Sequence, residues 1–236
     1  MPYPIAHPAA VIPLVRPMGR FAVPSALVIG SVSPDLWYFV PVLERADSHS
    51  PAGLFWFCLP VGFAVYFAFH LLLKEPLLAL APRFAAFYRP GLPRAPLYAV
   101  ALSLFVGTLT HFVWDALTHS EGSRIAQHAS TVFGTAFVLW WLWRRLREVP
   151  TNKSMDASPS RIWILAALAV ASIGWAWHEA MEAHLALGFD LEALRHAVRV
   201  AGIGALEGLA VALFAYCSVT TWLRGRSRAP RSPAGR

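Results

Sequence analysis

Long apolar runs constrain this chain more than any other feature of its sequence. A helix needs roughly 18 apolar residues to cross a bilayer. Six runs near or above that length lie at about 21–43, 52–73, 96–118, 128–143, 162–177 and 197–223. Only 14% of the 236 residues are charged, against roughly 25% in a typical soluble domain. The sequence therefore predicts an all-α polytopic membrane helical bundle, with about six transmembrane helices and a short N-terminal hairpin helix.

The connectors between these runs carry the charges and the helix breakers, and no repeat of fixed period is visible. We therefore expect one membrane-embedded helical domain over residues 1–223. Residues 224–236 are basic and rich in Pro and Ser, a composition typical of disorder. The two cysteines, Cys58 and Cys217, lie inside apolar runs and indicate packing residues, not a disulfide framework.

The distribution of cations predicts how the bundle is oriented. When alternate connectors are assigned to opposite sides, one side receives sixteen Lys and Arg residues and the other four. The positive-inside rule makes the richer side cytoplasmic. We expect a multi-pass inner-membrane protein, with the lipid bilayer as its partner and with its N-terminal basic turn and C-terminus in the cytoplasm. The net charge of +7 then reports topology, and no nucleic-acid partner is expected.

Ionisable residues in the motif T-H-F-V-W-D-A-L-T-H-S suggest the functional site. His111, Asp115 and His119 follow one another at intervals of four, so they lie within an arc of about 80° on one helix face. Ionisable groups inside apolar helices are costly and need a partner. The spacing suits a bound metal ion, and the alternative is a polar stripe that is hydrogen-bonded to neighbouring helices.

Two further pairs each combine a histidine with an acidic residue and can contribute to a metal site. His7 and Asp35 flank the basic break R-P-M-G-R-F-A-V-P, which predicts a turn at the cytoplasmic face, so an αα-hairpin would place them at nearly equal depth. His178 and Glu182 are four residues apart at the outer end of the fifth run and together can clasp an ion.

Helical rise, counted from the cytoplasmic side at ~1.5 Å per residue, places most of these groups in the outer half of the bilayer. Glu207 can join that layer as a supporting or proton-handling group. His70 lies only four residues before Lys74, so the same count places it near the inner face.

Several motifs resemble an uncharacterised family of bacterial membrane proteins, over most of the chain to about residue 223. They are the H-P-A start, S-x-x-P-D, F-H-L-L-L-K-E-P-L-L-A-L-A-P and H-x3-D-x3-H. The order of histidines and acids is more distantly similar to that of the zinc-dependent phospholipase C and single-strand nuclease superfamily, and of related inner-membrane metal-dependent hydrolases. That similarity implies one zinc among Asp35, His70, His111 and Asp115, a second among His119, His178 and Glu182, and a third at His7 and Asp115. Met1 and Pro2 cannot supply the N-terminal Trp ligand of those soluble enzymes, so one or two Zn²⁺ ions are expected.

The leading functional hypothesis is a membrane-embedded metal-dependent hydrolase-like protein acting on a phosphodiester or ester of a lipid-like substrate. Asp35, Asp115 and Glu182 are its candidate catalytic carboxylates. Zn²⁺ suits this mixture of His, Asp and Glu, and other divalent metals suit it as well. Two alternatives stay open: an ion, proton or metal transport protein, and a structural membrane protein with a vestigial site.

Overall fold

The structure is a computed structural model that describes residues 4–39, 44–87, 93–118, 124–149, 159–187 and 191–228. Regular structure in these ranges is helical throughout. The helices used below are α1 (Pro8–Val11), α2 (Val15–Met18), α3 (Pro24–Val32), α4 (Arg45–Ser48), α5 (Pro51–Leu80), α6 (Leu97–Thr118), α7 (Arg124–Arg147), α8 (Pro159–Leu187) and α9 (Leu191–Arg228). Helix α5 contains two π-helical stretches, Leu54–Cys58 and Phe69–Leu73.

Four helices are long and apolar enough to cross a membrane, which supports a membrane protein. They are α5, α6, and the parts of α8 and α9 at Ser160–Ala183 and Glu192–Gly225. Each contains one of the apolar runs found in the sequence. The described chain thus has the helical, membrane-spanning character that was predicted, whereas the count of six spans is not confirmed.

The two remaining runs differ from the prediction for identifiable reasons. In the first, α3 ends at Val32 and a 3₁₀ stretch, Ser33–Phe39, follows. Pro34 has no N–H to continue the α-helical ladder, and the Ser33 hydroxyl instead donates to the carbonyl of Gly30 at 2.9 Å. The other run forms α7, which is a full helix but is not among the four apolar spans.

The chain divides into two compact units, Met1–Leu71 with Gly91–Pro150, and Leu72–Pro90 with Thr151–Arg236. In the first unit the predicted N-terminal hairpin is present. The chain reverses at Gly19, whose φ of +52° suits glycine, and α1 packs against α3. On its other side, the N-terminal segment packs against α7, where a Cβ on Gly134 would collide with Ala6.

Two glycines bring the backbones of α3 and α6 together in the first unit. A Cβ on Gly30 would run into the backbone of Leu104, and a Cβ on Gly107 into the carbonyl of Leu27. The core beside this contact is apolar, and its buried members are Val23, Ala26, Ile29, Tyr66, Ala99, Val100 and Leu104. The closeness of α3 and α6 fixes the positions of the side chains that extend from their adjoining ends.

The second unit is built on the hairpin of α8 and α9. Gly204 and Gly208 meet the side chains of Glu179 and Trp175 on α8, as small-residue packing between membrane helices predicts. Ser172 donates to the carbonyl of Ala205 at 2.7 Å. Helix α9 continues to Arg228, into the first residues of the predicted tail. The disorder of the remaining tail, and the single domain over 1–223, stay predictions.

Candidate metal centre

The contact between α3 and α6 carries His111 to the end of α3. Its Nδ1 lies 2.9 Å from the carbonyl oxygen of Ser31. Asp35 sits in the 3₁₀ stretch that follows α3, and Asp115 lies one helical turn after His111 on α6. Residues from two packed helices therefore present one imidazole and two carboxylates to the same space.

A fourth side chain, His49, enters from the segment between α4 and α5. Glu44 and Asp47 cap α4 reciprocally, each carboxylate accepting from the other's backbone N–H. The Cys58 thiol of α5 donates to the carbonyl of Ser48 at 3.3 Å. These contacts hold the end of α4, and with it His49, over α5.

Four donor atoms converge here: Nε2 of His49, Nε2 of His111, Oδ1 of Asp35 and Oδ2 of Asp115. The two Nε2 atoms are 3.2 Å apart. Asp35 Oδ1 lies 3.5 Å from His49 Nε2 and 3.7 Å from His111 Nε2. Asp115 Oδ2 lies 3.7 Å from each of the same two nitrogens. No side chain of the four is more than 11% exposed, so we call this buried set the four-atom centre.

The hydrogen-bond partners of the two Nδ1 atoms indicate which nitrogen of each imidazole carries the hydrogen. The partner of His111 Nδ1 is the carbonyl of Ser31, which can only accept, so Nδ1 carries the hydrogen. His49 Nδ1 lies 3.2 Å from the carbonyl of Arg45 and 2.8 Å from the Ser48 hydroxyl, which itself donates to that carbonyl. With a hydrogen on each Nδ1, the Nε2 lone pairs of the two rings face each other. Two lone pairs and two carboxylates in a buried space favour a positive charge beside them, whether a metal ion, a shared proton or the guanidinium of Arg45.

Asp35, His49 and His111 form a group with metal-binding spacing, and Asp115 lies beside two of its members. With zinc–ligand distances of about 2.0–2.1 Å, ligand atoms in a tetrahedron lie roughly 3.3 Å apart. The five separations among the four donor atoms given above run from 3.2 to 3.7 Å. Each metal-binding histidine normally donates its other N–H to a carbonyl or carboxylate, as His49 and His111 do here. The four-atom centre thus contains a His and Asp cluster that could hold a metal ion.

His7 faces the other side of the two carboxylates. Its Nε2 lies 3.9 Å from Asp35 Oδ2 and 3.9 Å from Asp115 Oδ1, the oxygens that do not belong to the four-atom centre. Its ring stacks on His111 with centroids 3.9 Å apart. Burial and the neighbouring His111 lower the pKa of His7 to about 4, so the ring is neutral at pH 7. Its buried Nδ1 has no hydrogen-bond partner in the described part of the chain.

These contacts bear on how many ions the residues can hold. His7, His111 and Asp115 form a second group with metal-binding spacing. His111 has a single available lone pair, so it can serve only one of the two groups at a time. The second locus then retains His7 and one oxygen from each carboxylate. The described residues therefore offer two overlapping metal-binding groups that share His111.

Arg45 lies at the open edge of the four-atom centre. Its Nη2 donates to Asp115 Oδ2 at 2.5 Å, and its side chain is 35% exposed, against 11% for Asp115. A cavity of about 240 Å³ opens beside this contact, lined by Arg45, His49, Phe112, Asp115 and Ala116. The centre is thus reached through a small pocket with charged and apolar walls.

The structure brings together four of the eight residues that the sequence nominated as ligands: His7, Asp35, His111 and Asp115. His70 lies elsewhere in the same unit. Its Nε2 is 2.9 Å from the hydroxyl of Ser25, at the opposite end of α3 from Asp35 and about ten helical residues, or roughly 15 Å, away. His70 is therefore not among the residues that meet at the four-atom centre, and both its depth in the membrane and its role as a ligand stay predictions.

The other three nominated residues are placed as follows. His178 and Glu182 are exposed on α8, in the second compact unit. Glu207, the proposed supporting group, is half-buried on α9 in that same unit. His119 falls outside the described residues. The roles of His119, His178 and Glu182 as ligands stay predictions.

Sequence reasoning missed His49 and Arg45. Both lie in a short polar connector, E-R-A-D-S-H-S-P, where histidine and arginine are usually solvated. The available signal was local: a capped turn followed directly by the Ser50-Pro51 start of a membrane helix. Because such a turn lies directly before the helix, its last residue must lie near the N-terminal end of α5.

Comparison with known proteins places the chain in a family without assigning it an activity. A family model described as a domain of unknown function, DUF4184, matches residues 1–125 and 121–218. The chain belongs to this family, which agrees with the resemblance to an uncharacterised family of membrane proteins. No curated protein and no solved structure matches the chain.

Proposed function

We propose that this protein is a membrane-embedded, metal-dependent hydrolase-like protein whose four-atom centre holds a divalent cation such as Zn²⁺. One observation carries the proposal: the Nε2 atoms of His49 and His111 face each other at 3.2 Å while each Nδ1 contacts a backbone carbonyl. Two carboxylates complete the set, and they supply the negative charge that a divalent cation needs in a buried site.

The chemistry that such an ion supplies when bound is Lewis acidity for the hydrolysis of a phosphodiester or ester bond. The chain's own contribution lies in positioning and proton handling. Asp35 Oδ2 and Asp115 Oδ1 point away from the four-atom centre, so they are the oxygens suited to accept a proton from water. Neutral His7 lies 3.9 Å from both and limits the space around them.

The surroundings of the pocket favour a lipid-like substrate. Phe112 and Ala116 give the pocket an apolar wall, and both belong to a helix that is apolar enough to span a membrane. Val113 and Leu117 of the same helix are 59% and 74% exposed, as residues that face acyl chains would be. A substrate with a polar head group and an apolar chain would place the head group in the pocket and the chain along the apolar surface of this helix.

The test is metal content followed by hydrolysis. Full-length protein purified from metal-replete cells should contain about one zinc-like ion per chain by elemental analysis, and should hydrolyse a phospholipid or lipid ester in mixed micelles. Asp115→Asn should lose both properties. Metal-free wild-type protein would favour a hydrogen-bonded polar cluster in which the two imidazoles share a proton. Metal flux into proteoliposomes without hydrolysis would favour a transport protein.

A further inference from the structure

Beside the four-atom centre lies the pocket of about 240 Å³, and Arg45 is the one Lys or Arg among the described residues that line it. We propose that this pocket binds a phosphate group, with the Arg45 guanidinium holding its negatively charged oxygens. This inference rests on the proposed function, because the pocket becomes attractive to an anion only when the centre carries its cation.

The hydrogen bonding of Arg45 leaves donors available. One terminal nitrogen, Nη2, donates to Asp115. Its Nε is buried and has no hydrogen-bond partner among the described residues. An unpaired buried donor is destabilising, so a ligand oxygen that reaches it is favoured. Guanidinium presents its donors in a planar fork that matches two oxygens of a phosphate.

The net charge of the site changes sign when a metal binds. Without the ion, the two carboxylates of Asp35 and Asp115 outnumber the one guanidinium of Arg45 by one negative formal charge, which repels an anion. A divalent cation in the four-atom centre turns this into one positive charge, concentrated at the base of a partly buried pocket. An anion therefore gains attraction both from Arg45 and from the loaded centre.

The dimensions of the pocket limit the ligand. Ligand sites for drug-sized molecules have volumes of about 300–1,000 Å³, so a cavity of about 240 Å³ suits a phosphate-sized group and not a whole lipid. Phe112 and Ala116 line the rest of it. The charged part of a phosphoester would then lie between Arg45 and the centre, and its apolar part would extend along α6.

Binding of inorganic phosphate to the zinc-loaded, full-length protein in detergent tests this inference by isothermal titration calorimetry. Arg45→Gln should weaken phosphate binding about 10- to 100-fold, the value of a lost hydrogen bond to a charged group. Arg45→Lys should recover part of that loss, since it restores the charge without the fork. Arg94→Gln is the matched control, because Arg94 is exposed in the same unit, and it should bind phosphate as the wild type does.

Zinc affinity, measured on the same variants, separates this inference from the proposed function. Arg45→Gln should bind zinc as tightly as the wild type or more tightly, because a competing positive charge has been removed from Asp115. Wild-type protein that binds zinc but not phosphate would overturn the inference alone, as would equal phosphate binding by wild type and Arg45→Gln. Tighter binding of acetate than of phosphate, or a loss of zinc affinity in Arg45→Gln, would also overturn it. Wild-type protein that binds no zinc would overturn both.

Discussion

His49 and His111 come from segments that are far apart in sequence, yet each turns its Nδ1 toward a backbone carbonyl and its Nε2 toward the other ring. Carbonyls only accept and do not rotate freely, so they favour a hydrogen on Nδ1 and restrict the orientation of each ring. A polar stripe that served only to pair helices would gain nothing from aiming two lone pairs at one point. This arrangement of the two rings supports the proposal of a bound cation.

Asp115 is the residue whose loss should weaken metal binding most. It presents Oδ2 to His49, His111 and Arg45, and Oδ1 to His7. Asp115→Asn removes the charge but keeps the shape, and should reduce metal affinity by at least the roughly 10–100-fold loss that outer-sphere changes cause. His128→Ala, an exposed histidine on α7, is the control. Equal metal content in Asp115→Asn and His128→Ala proteins would contradict the site.

Substitution of His49 tests the one candidate ligand that only the structure identified. His49→Ala removes one of the two facing Nε2 atoms and should reduce bound metal to a level near that of Asp115→Asn, as judged by elemental analysis after dialysis. The folded state should persist, because the backbone N–H of residue 49 still donates to the Arg45 carbonyl, at 2.9 Å in the wild type, when the ring is removed. Full metal retention by His49→Ala would show that His49 is not a ligand and would favour the ligands predicted from the sequence.

His70 separates the superfamily resemblance from the geometry. Its Nε2 contacts the Ser25 hydroxyl, so His70→Ala should cost about 1–3 kcal/mol of stability by leaving a buried polar group without its partner. Metal content should not change, because His70 lies at the far end of α3 from Asp35. Thermal unfolding and elemental analysis on the same sample measure both effects. Loss of metal in His70→Ala protein at unchanged stability would support the ligand set of the superfamily instead.

At the scale of elements, the contact between α3 and α6 determines whether the site can form at all. Asp35 follows α3 and His111 lies on α6, so a small separation of the two helices would pull a carboxylate away from an imidazole. Glycine at positions 30 and 107 allows backbone contact there, and membrane helices commonly use small residues in this way. The close packing of α3 and α6 therefore determines the geometry of the four-atom centre.

A methyl group at Gly107 should damage this contact. The new Cβ would meet the carbonyl of Leu27 and the amide nitrogen of Ser31, and forced overpacking costs about 1–3 kcal/mol. Because Ser31 also holds His111, Gly107→Ala should lower metal affinity along with the melting temperature. Gly202→Ala is the matched control, since a Cβ there meets nothing within 4 Å. If the two variants melt alike and bind metal alike, α3 and α6 do not depend on this contact.

At the scale of the whole molecule, the structure supports a helical membrane protein of two compact units, each with its own internal packing. The first unit contains every residue of the four-atom centre, together with His7 and Arg45. The four-atom centre therefore lies entirely within the first unit. The distribution of Lys and Arg residues predicts how the protein is oriented in the membrane.

The cation asymmetry predicts which connectors face the cytoplasm. A reporter fused after Arg236, or inserted within 150–158, should be cytoplasmic, whereas a cysteine placed within 185–192 should react with an impermeant reagent added outside. Cells with a sealed inner membrane provide the assay, and lysed cells show that each site can react. Labelling of 150–158 from outside intact cells would reverse the assigned orientation.

Much of the fold was predictable because hydropathy is a property of each segment by itself. The apolar runs that became α5, α6, α8 and α9 exclude water whatever their neighbours are. The spacing of His111 and Asp115 likewise places both on one face of any helix. The basic break at Gly19 predicted the reversal that carries His7 back toward Asp35. Periodicity, charge and turn chemistry were sufficient for these features.

Only the tertiary structure decided which partners meet across the chain. Pro34 had to end α3 for Asp35 to swing over the end of the helix, and nothing in the average hydropathy of 21–43 shows that break. His49 and Arg45 join the centre because the capped turn of α4 lies over α5 and beside α6, a contact between segments more than sixty residues apart. Local pattern fixes which face of an element is apolar, whereas the convergence of donor atoms depends on how closely several elements pack.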